Sequence, residues 1–168
     1  MGSVLLQAER LHPTRTDVPE PIRPQLIVLL NQLLADAVDL QTQAKAAHWN
    51  VKGGNFIALH KLFDEVYASV AEYVDLLAER AVQLGGVAEG TARIAARRSD
   101  LEEYPLGIAD GGRHAEALAN ALASFGAGVR RAIDEADGLG DKGTADLFTE
   151  VSRGIDKWLW FVEAHLPA

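Results

Sequence analysis

The chain has 168 residues, 48% of them apolar, which suits one domain with a sizeable core rather than two domains. Its net charge of −8 argues against broad contact with nucleic acid or anionic membrane. The lack of cysteine excludes a disulfide scaffold, a thiolate zinc site and a thiol nucleophile.

Four of the six prolines (Pro13, Pro19, Pro21 and Pro24) fall within the first 24 residues. Residues 1–23 therefore read as an N-terminal tail or strap, and residues 24–168 as the folded domain. A first helix is expected to start near Pro24, with apolar residues at Leu26, Leu30, Leu33, Ala37, Leu40, Ala44 and Ala47, the spacing of a bundle seam. Residues 26–38 are the most apolar stretch. Asn31, Gln32 and Asp36 interrupt it, and it falls short of the ~20 residues of a membrane span. Residues 1–11 show no secretory pattern, so the expectation is a soluble, cytoplasmic chain.

Gly53-Gly54 should end the first helix, and Asn55 should cap the second. That helix carries Leu59, Phe63, Val66, Val70, Tyr73 and Leu77, and stops at Gly85-Gly86. Residues 87–109 hold no long seam; one short helical turn is expected around Ile94 to Arg98. A third helix runs through Ala115, Leu118, Leu122, Phe125, Val129, Ala132 and Ala136 to Gly138-Leu139-Gly140. A fourth carries Phe148, Val151, Ile155, Trp158, Val162 and His165 or Leu166. No strand alternation persists. The predicted fold is all-α, a four-helix bundle with a long crossover between helices 2 and 3, ferritin-like connectivity being among the alternatives.

The second helix has a polar face. At about 100° per residue from Leu59, residues His60, Asp64, Asp75 and Glu79 fall at about 100°, 140°, 160° and 200°, away from the seam. His60/Asp64 and Asp75/Glu79 are i,i+4 pairs, and imidazole with carboxylates is a ligand set for iron, manganese or zinc. The fifteen residues from His60 to Asp75 span about 22 Å of helix, so both pairs cannot hold one ion within one chain. The face residues are mirrored, however, about the midpoint between Ser69 and Val70: Ala68 with Ala71, Asp64 with Asp75, His60 with Glu79, Ile57 with Val82. Two antiparallel copies across a two-fold axis would bring each pair together, with small residues at the crossing. A solvated face accounts equally well for any one of these charges. His48, on the flank of the first seam, fits a capping histidine by itself; with His60 twelve residues on, a tight Gly53-Gly54 turn can bring two imidazoles to one ion.

The run Ala47-His48-Trp49-Asn50-Val51-Lys52-Gly53, the run from Asn55 to Glu65, and Asp75 to Gly86 closely resemble the Dps miniferritins. Tyr104-Pro105-Leu106 and Asp156-Lys157-Trp158-Leu159-Trp160-Phe161 are similar to the same family. The resemblance covers the chain from about residue 25, and its His-x11-His-x3-Asp-x10-Asp-x3-Glu pattern is specific. It implies a ferritin-like bundle assembled into a hollow homododecamer of two-fold dimers, storing ferric mineral inside. It implies oxidation of Fe(II), usually by hydrogen peroxide and otherwise by dioxygen, at a mono-iron or di-iron ferroxidase centre that other divalent ions such as Zn also fit. His48, His60 and Asp64 would come from one chain and Asp75 and Glu79 from its partner, with Trp49 beside them. Other ferritins use Glu-x-x-His motifs on their helices; the one instance here, Glu9-Arg10-Leu11-His12, falls in the N-terminal tail.

Some members of that family bind DNA through a lysine-rich tail. Here Arg10, Arg15 and Arg23 are balanced by Glu9, Asp17 and Glu20, and Arg93, Arg97 and Arg98 are the only basic cluster, which reads as a solvated face. The charge pattern therefore argues against DNA as a partner, a nucleoid-compacting DNA-binding protein with secondary ferroxidase activity being the alternative function, and no membrane partner is expected. The acids of the family's iron-entry pore are left unassigned: Gly128 stands at one usual acid position, and Asp134, Glu135, Asp137 and Asp141 offer either a negative field or a solvated surface.

Overall fold

The structure, a computed structural model, describes residues 11–167. The part of the N-terminal tail in residues 1–10, with Glu9 and Arg10, lies outside the described residues, as does Ala168. A 3-10 turn, Glu20–Ile22, leads into α1 (Arg23–Asn50). It is followed by α2 (Phe56–Gln83), α3 (Ala92–Arg98), α4 (Gly111–Gly138) and α5 (Lys142–Glu163). No strand occurs among the described residues; Lys52 and Asp110 form an isolated bridge. No helix among them is long and apolar enough to cross a membrane.

The expected seams form the core. Every named seam residue of α1 and α4 is buried, as are Leu59, Phe63, Val66, Val70 and Leu77 of α2 and Phe148, Val151, Ile155, Trp158 and Val162 of α5. Tyr73 is only partly buried, because its phenol reaches across to α5 at Gly154, where a Cβ would collide with it. His165 lies beyond the end of α5 and is exposed, while Leu166 packs against the core. Asn55 holds the N-cap position of α2, but its side chain makes no capping bond.

α1 pairs with α2 and α4 with α5, and the two hairpins meet through α1–α4 and α2–α5 contacts. The start of α4 sits at the α1–α2 turn: the Lys52 amide donates to the Ala109 carbonyl at 3.0 Å. The end of α2 meets the start of α5, where Arg80 donates to both carboxylate oxygens of Asp141 at 3.0 and 2.9 Å. The segment between α2 and α4 must therefore travel the length of the bundle, about 42 Å for helices of 28 residues.

The polar residues that interrupt the apolar stretch of α1 hold this crossover. Asn31 donates to the Val87 carbonyl at 3.0 Å and accepts from the Glu89 amide at 2.9 Å. Gln32 donates to the Arg98 carbonyl at 2.9 Å, Gln43 donates to the Glu102 carbonyl at 3.0 Å, and Asp36 accepts from the Asp100 amide at 2.8 Å. An irregular segment has no ladder of its own, so these side chains supply partners for its backbone. Before α1, the chain straps onto the far end of α2. The His12 amide donates to the Gly85 carbonyl at 2.7 Å, and Gly85, at φ +90°, leaves room for the His12 carbonyl where a Cβ would stand.

Candidate metal centre

His48 sits in the last turn of α1 and His60 in the second turn of α2. Gly53, at φ +111°, reverses the chain between them. The two rings stack, with centroids 3.7 Å apart and planes 21° from parallel. His48 Nδ1 is 2.7 Å from the His60 carbonyl oxygen, and His60 Nδ1 is 2.8 Å from the His48 carbonyl oxygen. A carbonyl only accepts, so both Nδ1 atoms carry a proton, and Nε2 is the nitrogen of each ring left to bind a metal. This is the tautomer and the outer-shell support that metal-ligating histidines use.

Asp64, one turn beyond His60, is half-exposed and paired with Lys45, one turn before His48. The hydrogen bond from Lys45 holds the Asp64 carboxyl below its ordinary value, so it is ionised at neutral pH. The Lys45 ammonium also lies 4.6 Å from the centre of the Tyr67 ring. Trp49 is largely exposed beside His48, and Phe56 packs at 4.9 Å on the His60 ring.

The structure brings His48, His60 and Asp64 to one end of the α1–α2 hairpin. It leaves Asp75 and Glu79 exposed farther along α2, and no group of three acidic or histidine side chains able to hold a metal ion forms among the described residues of one chain. The mirrored ends Ile57 and Val82 are both exposed, at 59% and 55%.

Asp141 needs a correction. It is 5% exposed and does not belong to a solvated surface. Its carboxylate caps α5 by accepting from the amides of Gly143 and Thr144 at 3.1 and 3.3 Å, and it takes the bidentate Arg80. Burial alone would raise its pKa; the Thr144 hydroxyl and Arg80 outweigh that and lower it. Asp134, Glu135 and Asp137 are exposed. In the basic cluster, Arg93 and Arg97 are exposed and Arg98 pairs with Glu89.

Sequence reasoning missed two features. Lys45 has a visible signal, three residues before His48, on the turn that faces Asp64. The buried bond between Tyr104 and His114 has none, since it links a residue of the irregular crossover to the first turn of α4, ten positions on.

Residues 27–167 match the family described as the ferritin-like domain. The chain is 41% identical over 157 residues to the DNA protection during starvation protein of Agrobacterium fabrum, covering 94% of this chain and 97% of that protein. Among solved structures it is similar to DpsA14 from Streptomyces coelicolor, with a TM-score of 0.88, 34% identity, and coverage of 94% of this chain and 95% of that one. It is also similar to Dps from Microbacterium arborescens in the high iron form, with a TM-score of 0.80, 32% identity, and coverage of 90% and 97%.

Proposed function

Because the chain belongs to the Dps branch of the ferritin-like family, we propose that it is an iron-detoxifying and iron-storing miniferritin of the cytoplasm. Its substrate is Fe(II), oxidised preferentially by hydrogen peroxide, and the ferric product is stored inside a homododecamer. The observation that carries this reading is the reciprocal pair of Nδ1 bonds, which leaves the Nε2 atom of each ring as its metal-binding nitrogen beside an ionised Asp64.

One chain supplies His48, His60 and Asp64, and the partner across the two-fold axis supplies Asp75 and Glu79. The three carboxylates offset the positive charge of the iron, and each imidazole, oriented by its Nδ1–H bond to a carbonyl, presents Nε2 to it. Two Fe(II) ions give two electrons to one peroxide, which takes two protons and leaves as two waters. That route avoids the hydroxyl radical that a lone Fe(II) makes from the same peroxide. The protective role carried in the relatives' names follows from this chemistry.

The test is an anaerobic Fe(II) titration followed by peroxide. Tryptophan fluorescence should quench to a saturable endpoint, since Trp49 adjoins His48, and peroxide should then oxidise the iron with little spin-trapped hydroxyl radical. Light scattering should give about 217 kDa, twelve chains of 18.1 kDa. Absence of saturable quenching and oxidation overturns the ferroxidase reading, and a monomer at micromolar protein overturns the cage.

A further inference from the structure

The chemistry above leaves one buried titratable pair without a role. Tyr104 lies in the crossover and His114 in the first turn of α4, with 8% and 0% of their surfaces exposed. The phenol oxygen is 2.5 Å from His114 Nδ1, and the ring planes are 18° from parallel. Burial pushes the phenol well above its usual range and the imidazole below its own. Both groups are therefore neutral at physiological pH, with the phenol donating and Nδ1 accepting.

The other nitrogen, Nε2, then carries the imidazole proton. It is fully buried and has no hydrogen-bond partner among the described residues. Tethering the crossover needs one bond from the phenol; it does not need a buried base with an unsatisfied second nitrogen. Burial is the larger effect and opposes the charged imidazole; the carbonyls of Ile108 and Asn50 offset it in part.

Asn50 is the last residue of α1, two beyond His48 and one beyond Trp49. The Lys52 amide ties the same turn to Ala109, and Gly111 packs against Leu59. The pair thus sits behind the α1–α2 turn that separates His48 from His60, joined to it by a few covalent and hydrogen bonds.

We infer that Tyr104 is a redox-active tyrosine that reduces one-electron oxidants formed when a lone Fe(II) meets peroxide, with His114 as the acceptor of its proton. In the step, Fe(II) and hydrogen peroxide give Fe(III), hydroxide and a hydroxyl radical. One electron from Tyr104 reduces that radical to hydroxide. The phenol O–H bond breaks, its proton moves to His114 Nδ1, and a neutral tyrosyl radical and an imidazolium remain. A later Fe(II) returns the electron and His114 returns the proton. Without the base, oxidation would leave a cationic phenol in an apolar core, and the cost of burying that charge would block the step. The source of the oxidant rests on the ferroxidase reading; the proton-coupled pair does not.

The experiment has two arms on the assembled full-length protein. In the first, Fe(II)-loaded protein is mixed with peroxide, freeze-quenched and examined by electron paramagnetic resonance, with ordinary and with ring-deuterated tyrosine. A tyrosyl signal that narrows on deuteration is expected, lost in Tyr104→Phe and reduced roughly tenfold in His114→Gln. In the second, iron-free protein is oxidised by a photogenerated ruthenium(III) complex. Tyrosyl formation should again need Tyr104, and wild type should show a solvent deuterium isotope effect, which carries the test if His114→Gln does not fold. Iron oxidation with no Tyr104 radical in either arm overturns the inference. A Tyr104 radical in the photochemical arm, with no iron oxidation in the first, keeps the pair and overturns the ferroxidase reading.

Discussion

His60 and Glu79 lie nineteen residues apart on α2, which is about 28 Å along the helix axis. Ligand bonds to a metal ion are about 2 Å long, so the two side chains of one chain cannot meet at one ion. Two antiparallel copies of α2 crossing between Ala68 and Ala71 bring each His60 to the other's Glu79, twice per dimer. His60→Ala and Glu79→Ala then damage the same centre from opposite chains. A cage of either mutant alone lacks one ligand at every centre, and its initial rate of Fe(II) oxidation by peroxide should fall by about tenfold or more. In a mixed dimer, one centre carries both lesions and the other carries neither. Random pairing of equal amounts makes half of the dimers mixed, so about a quarter of all centres should be intact. Co-refolding the mutants and measuring initial rates by stopped flow should therefore recover about a quarter of the wild-type rate. A centre built within one chain recovers nothing, because every chain keeps a lesion. No recovery, with mixed dimers demonstrated by native mass spectrometry, would refute the two-fold arrangement.

Replacing Asp141 with Ala strips the cap of α5 and leaves Arg80 without its carboxylate partner; a loss of about 3–5 kcal/mol in urea denaturation is expected, and less than about 1 kcal/mol would contradict the burial argument. His114 has its pKa lowered by burial, so the unfolded chain binds more protons below about pH 6.5. Stability should be intact above that pH and decline as pH falls toward the folded-state value, and His114→Gln should flatten the slope between pH values of about 7.5 and 5.5. The net charge of −8 and the balanced charges of residues 1–23 predict no duplex-DNA complex tighter than about micromolar at about 150 mM salt, read by fluorescence anisotropy.

The bundle was legible because its signal is periodic. Seams at 3-4 spacing in α1, α2, α4 and α5 are buried except at Tyr73 and His165, and Gly53 and Gly85, both at positive φ, mark turns that need glycine. The crossover was legible only as an interval without a seam. Its anchors are polar residues of α1, and a sequence shows Asn31 or Asp36 as an interruption of apolarity without showing which distant amide it serves. Asp141 misled for a related reason. Among acids near a helix end, only the approach of Arg80 from sixty residues away distinguishes a buried cap from a solvated charge. His48 and His60 were visible as a pair, but the reciprocal carbonyl bonds that set their tautomers depend on how the turn closes, which residue spacing does not encode.

The exposed residues of α2 add an argument that the ligands alone do not supply. Phe56 and Ile57 are exposed at one end of the polar face, at 42% and 59%, and Val82 at the other, at 55%. A helix with nothing to meet on this side would gain nothing from apolar groups at both ends of an acidic band, since each would leave its surface in water. In the proposed dimer, Ile57 of one chain meets Val82 of the other at both ends of the crossing. Each cluster of His60, Asp64, Asp75 and Glu79 is then flanked by the small Ala68/Ala71 crossing on one side and by an apolar contact on the other. Water is thinned where carboxylates from two chains converge, and their mutual repulsion grows as the local dielectric falls. A cation bound between them removes that repulsion, so Fe(II) should strengthen the dimer contact. Asp75→Asn/Glu79→Gln, which lowers the repulsion without iron, should make two-fold dimers of the apoprotein more resistant to dissociation at low salt while abolishing their stabilisation by Fe(II). Analytical ultracentrifugation of the apo and Fe(II)-loaded forms, anaerobically and across salt concentrations, measures both effects; equal dissociation of wild type and variant in both forms would show that these carboxylates do not face one another.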